Sequence, residues 1–176
     1  MKKLTQILNN ITELTGKVFA WSTLCMVLII CLDVILRYLF NFTLIWIIEL
    51  ETYFFAISFL MASGYAFKHN KHVRVDVFYS KYSKKGKAWT ELIGGLFLLL
   101  PWSLISTYVC YLYFFKSWKI GETSSQPGGL PAIYVLKFFL FLGFLTLTIQ
   151  AIASILQAIQ EIRTSDDSLI NTAKQK

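Results

Sequence analysis

The sequence predicts an all-α integral membrane protein with four transmembrane helices and with both termini on the cytoplasmic side. Hydrophobic residues make up 56% of the 176 residues and charged residues only 15%, whereas soluble domains carry about 25% charged residues. Four apolar segments are each long enough to cross a hydrocarbon layer of about 30 Å as a helix. The basic residues are concentrated in the gaps on one side of these segments.

The predicted spans cover residues 18–38, 44–67, 92–115 and 132–156. A membrane β-barrel would instead show short segments of alternating polarity. The link at 39–43 is very short, so the first two spans should be antiparallel neighbours. Pro101 removes a backbone hydrogen bond, so we expect a bend in the third span. Pro131 suits the first turn of the fourth.

The segments that flank the spans are predicted to lie at or beyond the membrane surface. Leu4, Ile7, Ile11 and Leu14 share one helical face, so residues 1–17 should form an amphipathic helix in the cytoplasmic interface. A second interfacial helix is predicted in the second loop, capped by Asp76. Residues 18–160 form the membrane domain, and 161–176 are expected to be a polar cytoplasmic tail, disordered from residue 165.

The distribution of basic residues predicts the orientation of the chain. The net charge is +7, and most of the 17 lysine and arginine residues lie near the termini or in the second loop. The positive-inside rule therefore places both termini and that loop in the cytoplasm. The excess of lysine and arginine residues is explained by membrane topology and by attraction to anionic phospholipids, not by binding to nucleic acid. The four exceptions are Arg37, Lys116, Lys119 and Lys137.

The sequence offers no pattern of cofactor, metal or catalytic residues. Cys25, Cys31 and Cys110 lie inside spans and form no C-x-x-C motif. We therefore expect them to be buried and to act as small hydrophobic residues. His69 and His72 share one loop instead of facing each other across spans, which argues against membrane haem. We expect a protein that is not an enzyme.

Five ionisable residues inside the spans are the candidate site: Asp33, Arg37, Glu49, Glu51 and Lys137. A charge at mid-bilayer costs roughly 2.5 to 3.5 kcal/mol. Helical rise places all five in one layer, roughly 5 to 10 Å below the outer surface. A conduction path needs polar groups at several depths, so this layer favours a static polar clamp or a subunit interface over an ion pathway.

The helical spacing of these residues suggests how they pair. Asp33 and Arg37 are four residues apart and can pair along one face. Glu49 and Glu51 are about 200° apart around a helix, so they cannot share a face. One of them is expected to face Arg37, within this chain or in another subunit. The other would face Lys137 or a second protein subunit.

Several short motifs follow one another along the chain. In chain order they are Arg37-Tyr38, Phe40-Asn41, Trp46-x-x-Glu49-Leu50, Tyr53, Ala62-Ser63-Gly64-Tyr65-Ala66, His72-Val73-Arg74-Val75-Asp76, Gly121-Glu122-Thr123-Ser124, Pro131, Gly143 and Gln150. Each motif is weak alone, but their order and spacing across four spans are specific. In these motifs the chain resembles the DctQ-type small membrane subunits of tripartite ATP-independent periplasmic (TRAP) transporters. The resemblance covers roughly residues 20–155, with Ala62 and Ile48 as modest departures from the family pattern.

The resemblance implies a division of labour within a complex in the bacterial inner membrane. A periplasmic substrate-binding protein captures an organic acid, such as sialic acid or a C4-dicarboxylate. A large membrane subunit moves it inward with a sodium gradient. The small subunit would hold the large one and help to dock the binding protein, with residues 42–45 and 116–130 as the expected contacts. No cofactor is implied.

Three alternatives remain open from the residues alone. An autonomous four-helix transporter would need an essential deep carboxylate, whereas the acids here are shallow. A membrane redox subunit would need histidines within the spans or an exposed cysteine pair. A structural or sensory membrane protein without any transport role would need none of these features.

Overall fold

The computed structural model describes residues 2–69 and 82–174, and in these ranges it is helical with short links and no strand. Four of its helical stretches are long and apolar enough to span a membrane. This confirms the predicted all-α membrane fold. The elements are α1 (Lys2–Phe40), α2 (Ile45–Lys68), α3 (Lys84–Gly94), a π-helical segment (Gly95–Leu99), α4 (Leu100–Ile120) and α5 (Ile133–Lys174).

Helix α5 is the centre of the bundle, because it packs against each of the other four α-helices. The predicted α1–α2 hairpin is formed, and these two helices pack along each other. Three alanines of α5 belong to the buried core: Ala151, Ala153 and Ala158 are at most 1% exposed. Small residues allow the close helix approach on which membrane bundles depend.

Glycines mark the points where helices approach most closely. A Cβ on Gly64 of α2 would lie 3.2 Å from both the Thr12 methyl carbon of α1 and the Thr146 carbonyl oxygen of α5. A Cβ on Gly143 of α5 would lie 2.8 Å from Leu60 Cβ of α2. Gly64, one of the residues of the family motif, therefore serves packing within the chain.

A π-helical segment, Gly95–Leu99, ends two residues before Pro101, where the sequence predicts a bend. Proline has no N–H and its ring crowds the carbonyl of residue i−4, here Phe97. Phe97 lies within the π-helical segment, whose turns are wider than those of an α-helix. The Leu100 N–H donates to the Gly95 carbonyl five residues earlier. Such insertions are a known way to accommodate a disturbed hydrogen-bond ladder.

Three helix ends differ from those predicted. Helix α1 has no break at residue 17, so the expected interfacial segment forms its first turns. Helix α3 begins at Lys84, where the Ser83 hydroxyl accepts from the Gly86 N–H at 3.2 Å; the predicted cap, Asp76, lies outside the described residues. Helix α5 continues to Lys174 where a disordered tail was expected. Extending an existing helix requires no new nucleation, which favours long continuous helices.

Candidate functional site at the loop end

Two links meet at one end of the bundle, called here the loop end: the α1–α2 link (residues 41–44) and the α4–α5 loop (residues 121–132). The backbone turns at Asn41, where φ is +49°, and at Gly121, where φ is +56°. The five charged residues predicted as a site all lie within two turns of these links. Their pairing, however, differs from the predicted pairing in two cases.

Glu49 binds the α4–α5 loop instead of a cation. Its carboxylate accepts a hydrogen bond from the Ser124 hydroxyl and another from the Leu130 backbone N–H, the latter at 2.6 Å. These partners are more than 70 residues away in sequence, so the contact ties α2 to the loop. The suggested Glu49–Arg37 pair is not formed within the described residues. Arg37 pairs instead with Asp33, which lies one turn away on its own helix.

The α4–α5 loop is closed by its own backbone. The Ser124 N–H donates to the Leu130 carbonyl at 3.0 Å, and the Gly129 N–H donates to the Gln126 carbonyl at 3.0 Å. The second bond closes a turn with Pro127 at its second position and Gly128, with φ +79°, at its third. Proline followed by a glycine of positive φ is typical of a type II turn. The loop is therefore ordered from its base to its tip.

Gly129 fits only because it lacks a side chain. A Cβ there would lie 2.5 Å from Ser124 Oγ and 2.7 Å from each carboxylate oxygen of Glu49. Real Cβ atoms essentially never approach other atoms this closely, so a substitution would displace the Glu49 carboxylate, the Ser124 hydroxyl or both. Sequence reasoning missed this constraint.

Lys137 binds Glu122, a residue that the sequence had singled out only as part of a motif. Lys137 is 7% exposed, and its ammonium donates to the Glu122 carboxylate. The Ser117 hydroxyl donates to the same oxygen at 2.6 Å. The Lys137 Nζ also lies 3.9 Å from the centre of the Tyr113 ring. The predicted pairing of Lys137 with Glu49 or Glu51 is thus replaced by a loop contact within the chain.

The position of Glu122 explains this pairing. The Ile133 N–H donates to the Glu122 carbonyl at 3.2 Å, which brings Glu122 beside the first turn of α5. Lys137 lies one turn further along that helix. The hydrogen bond from Lys137 lowers the pKa of the Glu122 carboxyl below its usual 4.5, and the bond from Ser117 lowers it further. Glu122 is therefore held in its ionised form.

Asp33 and Glu51 are less completely paired than Glu49 and Glu122. Asp33 is 4% exposed and binds Arg37 through one oxygen. Its other oxygen, like one oxygen of Glu51, is buried without a hydrogen-bond partner among the described residues. As helical spacing predicted, Glu51 does not share the contacts of Glu49.

The remaining motif residues have different environments. Tyr38 is 77% exposed and Trp46 40% exposed at the loop end, and Pro131 is also exposed. The Tyr53 hydroxyl is buried without a partner in the described part of the chain. Gln150 is 1% exposed and donates to the Asn9 side chain at 3.2 Å. His72, Arg74 and Asp76 lie outside the described residues.

A second cluster at the opposite end of the bundle was missed by sequence reasoning. The Glu13 carboxylate of α1 accepts from Lys68 at 2.7 Å and from the His69 ring at 2.9 Å, where α2 ends. Lys17 pairs with it at 2.9 Å. The spacing of Glu13 and Lys17 was visible in the sequence, but the contacts with α2 depend on the hairpin.

The residues that the structure describes contain no group of three His, Cys, Asp or Glu side chains placed to hold a metal ion. Comparison with protein families gives a match over residues 26–161. The family is described as "Tripartite ATP-independent periplasmic transporters, DctQ component". The matched range includes α1 from Met26 onward, all of the loop-end contacts described above and α5 as far as Glu161. A search of curated proteins gave no match.

Proposed function

Since the chain belongs to the DctQ family of small TRAP transporter subunits, which are membrane components and not enzymes, we propose that it supports the large membrane subunit and helps to dock the periplasmic binding protein. Both partners are proposed from the family's division of labour. The observation that carries the supporting role is the position of the charged side chains, which lie near the ends of the described bundle.

Several buried hydroxyl groups in the bundle donate to carbonyl oxygens of their own helices. Ser103 donates to the Leu100 carbonyl at 3.1 Å, and Thr148 donates to the Phe144 carbonyl at 2.8 Å. A hydroxyl bonded to its own helix in this way offers little to a passing ion or solute. The charged groups of the spans lie near the loop end, and residues 92–115 contain no charged residue. This arrangement supports a static subunit.

The loop end has the features of a docking surface. The tip of the α4–α5 loop exposes neutral polar residues, including Thr123, Ser125 and Gln126. Lys116 and Lys119, at the end of α4, are exposed beside it. We propose that the binding protein meets this tip and places acidic groups opposite the two lysines, because complementary charges at a rim speed association. This assignment requires the loop end to face the periplasm, as the positive-inside rule predicts.

The apolar outer face of α4 fits contact with the large subunit or with lipid. Large contiguous apolar patches on a protein surface mark a membrane or protein interface. We propose that part of this face meets the large subunit and the remainder meets phospholipid acyl chains. Its large exposed residues include Leu104, Ile105, Tyr108, Val109 and Leu112.

The finer assignments follow from the resemblance. The complex would lie in the bacterial inner membrane with both termini of this chain in the cytoplasm. It would import an organic acid, of the sialic acid or C4-dicarboxylate type, with a sodium gradient. An autonomous four-helix transporter is the second candidate, and the shallow position of the acids argues against it.

Cysteine crosslinking tests the docking role. Single cysteines at Thr123, Ser125 and Gln126, and a control at Thr90 of α3, would be placed in a chain whose Cys25, Cys31 and Cys110 are replaced by alanine. We expect crosslinks to the binding protein from the loop positions and none from the control. No crosslink at any loop position would overturn the docking role. Co-purification with the large subunit tests the supporting role separately.

A further inference from the structure

We propose that Glu49 is a positioning residue, whose carboxylate holds the α4–α5 loop in the shape that the binding protein recognises. This inference rests on the proposed docking function. Glu49 would not touch the binding protein; it would act through Ser124 and Leu130. Such a role differs from the clamp between helices or subunits that the sequence suggested.

The geometry of the loop base carries the inference. Ser124 and Leu130 are already joined by a backbone hydrogen bond of 3.0 Å. Glu49 takes a further hydrogen bond from each member of this same pair, from the hydroxyl of one and the N–H of the other. Bonds to an ionised carboxylate are roughly twice as strong as neutral ones. One side chain of α2 thus closes the base of the 124–130 segment and leaves its tip projecting.

The loop is fixed at two further points. Glu122 is bound by Lys137 and Ser117 near the start of the loop. The Pro127-Gly128 turn gives the tip a defined backbone path. A loop ordered before binding loses less conformational entropy when a partner docks. Removing the Glu49 contacts would therefore weaken docking without removing any residue from the docking surface.

Gly129 provides an independent way to disturb the same contact. A Cβ at this position would fall 2.7 Å from both Glu49 carboxylate oxygens and 2.5 Å from Ser124 Oγ. Gly129→Ala should expel the carboxylate while Glu49 itself remains. If both substitutions act on one contact, their effects should not add.

Conservative replacement distinguishes positioning from direct electrostatic contact. The carbonyl oxygen of Glu49→Gln can still accept from the Leu130 N–H, and its amide can donate to Ser124 Oγ. Positioning predicts that Glu49→Gln keeps most of the docking affinity. If the charge of Glu49 met a cation on the binding protein, Glu49→Gln would be as poor as Glu49→Ala.

The experiment uses the chain in complex with the large subunit. Hydrogen exchange of the 121–131 backbone would be measured without binding protein, and binding-protein affinity in a separate titration. We expect Glu49→Ala and Gly129→Ala each to speed exchange and to weaken docking by at least about tenfold, because both hydrogen bonds to the carboxylate are lost. The double variant should be no worse than either one. Ser125→Ala, at the exposed tip, controls for a loss of surface contact and should leave exchange unchanged.

The possible outcomes are separable. Faster exchange with unchanged affinity would overturn the positioning role and leave the docking function standing, provided that cysteines placed in the loop of a chain that keeps Glu49 and Gly129 crosslink to the binding protein. Hydrogen exchange that is unchanged in both Glu49→Ala and Gly129→Ala would also overturn the positioning role. Absence of crosslinks from loop cysteines in a chain that keeps Glu49 and Gly129 would refute the docking function, and the positioning role with it. Retained co-purification with the large subunit would show that each variant is folded.

Discussion

Lys137 of α5 is buried, and it donates to Glu122 fifteen residues earlier in the chain, so one helix holds the start of the loop that precedes it. Glu49 of α2 holds the other part of the same loop. Two carboxylates from different parts of the sequence therefore fix one exposed segment. Two members of the charged layer that the sequence indicated, Glu49 and Lys137, therefore hold the α4–α5 loop in place.

The Glu122 contact predicts a pH dependence of stability. Its pKa is lower in the folded chain because Lys137 donates a hydrogen bond to it. Such a group stabilises the fold above its unfolded pKa, and the contribution is lost as pH falls through the lower folded pKa. The melting temperature of wild type should therefore exceed that of Glu122→Gln above about pH 4.5, and the gap should close in more acidic solution. A gap that does not narrow even in the most acidic solution in which the wild type stays folded would contradict this.

Gly64 and Gly94 form a matched pair for testing helix packing. Gly64→Ala places a Cβ 3.2 Å from backbone and side-chain atoms of two other helices, whereas a Cβ on Gly94 meets nothing within 4 Å. Overpacking at residue 64 should cost about 1–3 kcal/mol. Gly94→Ala should be neutral or stabilise by up to about 1 kcal/mol through helix propensity. Thermal unfolding in detergent measures both, and equal effects would show that the close approach at Gly64 has no energetic weight.

Glu13 should attach the end of α2 to α1. Glu13→Ala removes the acceptor of Lys68 and His69 and should destabilise that end. Hydrogen exchange at residues 64–69 should increase. Lys17→Ala is the control, because its side chain is 67% exposed and belongs to a same-helix pair, and exposed pairs of this kind contribute little to stability. Identical exchange in the two variants would argue against the attachment.

The two lysines at the end of α4 should steer the binding protein. Replacing Lys116 and Lys119 together by glutamate should lower the association rate at low ionic strength by at least about tenfold, with the difference shrinking at high salt. Arg163→Glu, near the opposite end of the bundle, is the control and should leave the rate unchanged. Stopped-flow association of labelled binding protein gives the rate. A reduction that does not depend on salt would contradict electrostatic steering.

The sequence was informative about helices and much less so about contacts between them. Hydrophobic length predicted all four spans, because the bilayer sets how many apolar residues a helix needs. Spacing also predicted the Asp33–Arg37 pair, since both residues lie on one helix. It could not predict that Glu49 binds Ser124 or that Lys137 binds Glu122. These partners are brought together by the course of the α4–α5 loop, which leaves no periodic signal.

Reconstitution in vesicles tests the supporting role most directly. The purified chain alone, and the chain with the large subunit and the binding protein, would be given labelled sialic acid and labelled succinate under an inward sodium gradient. The chain alone should accumulate neither solute, and the complete set should accumulate the one that its binding protein captures. Uptake of either solute by vesicles that contain this chain alone would contradict the account.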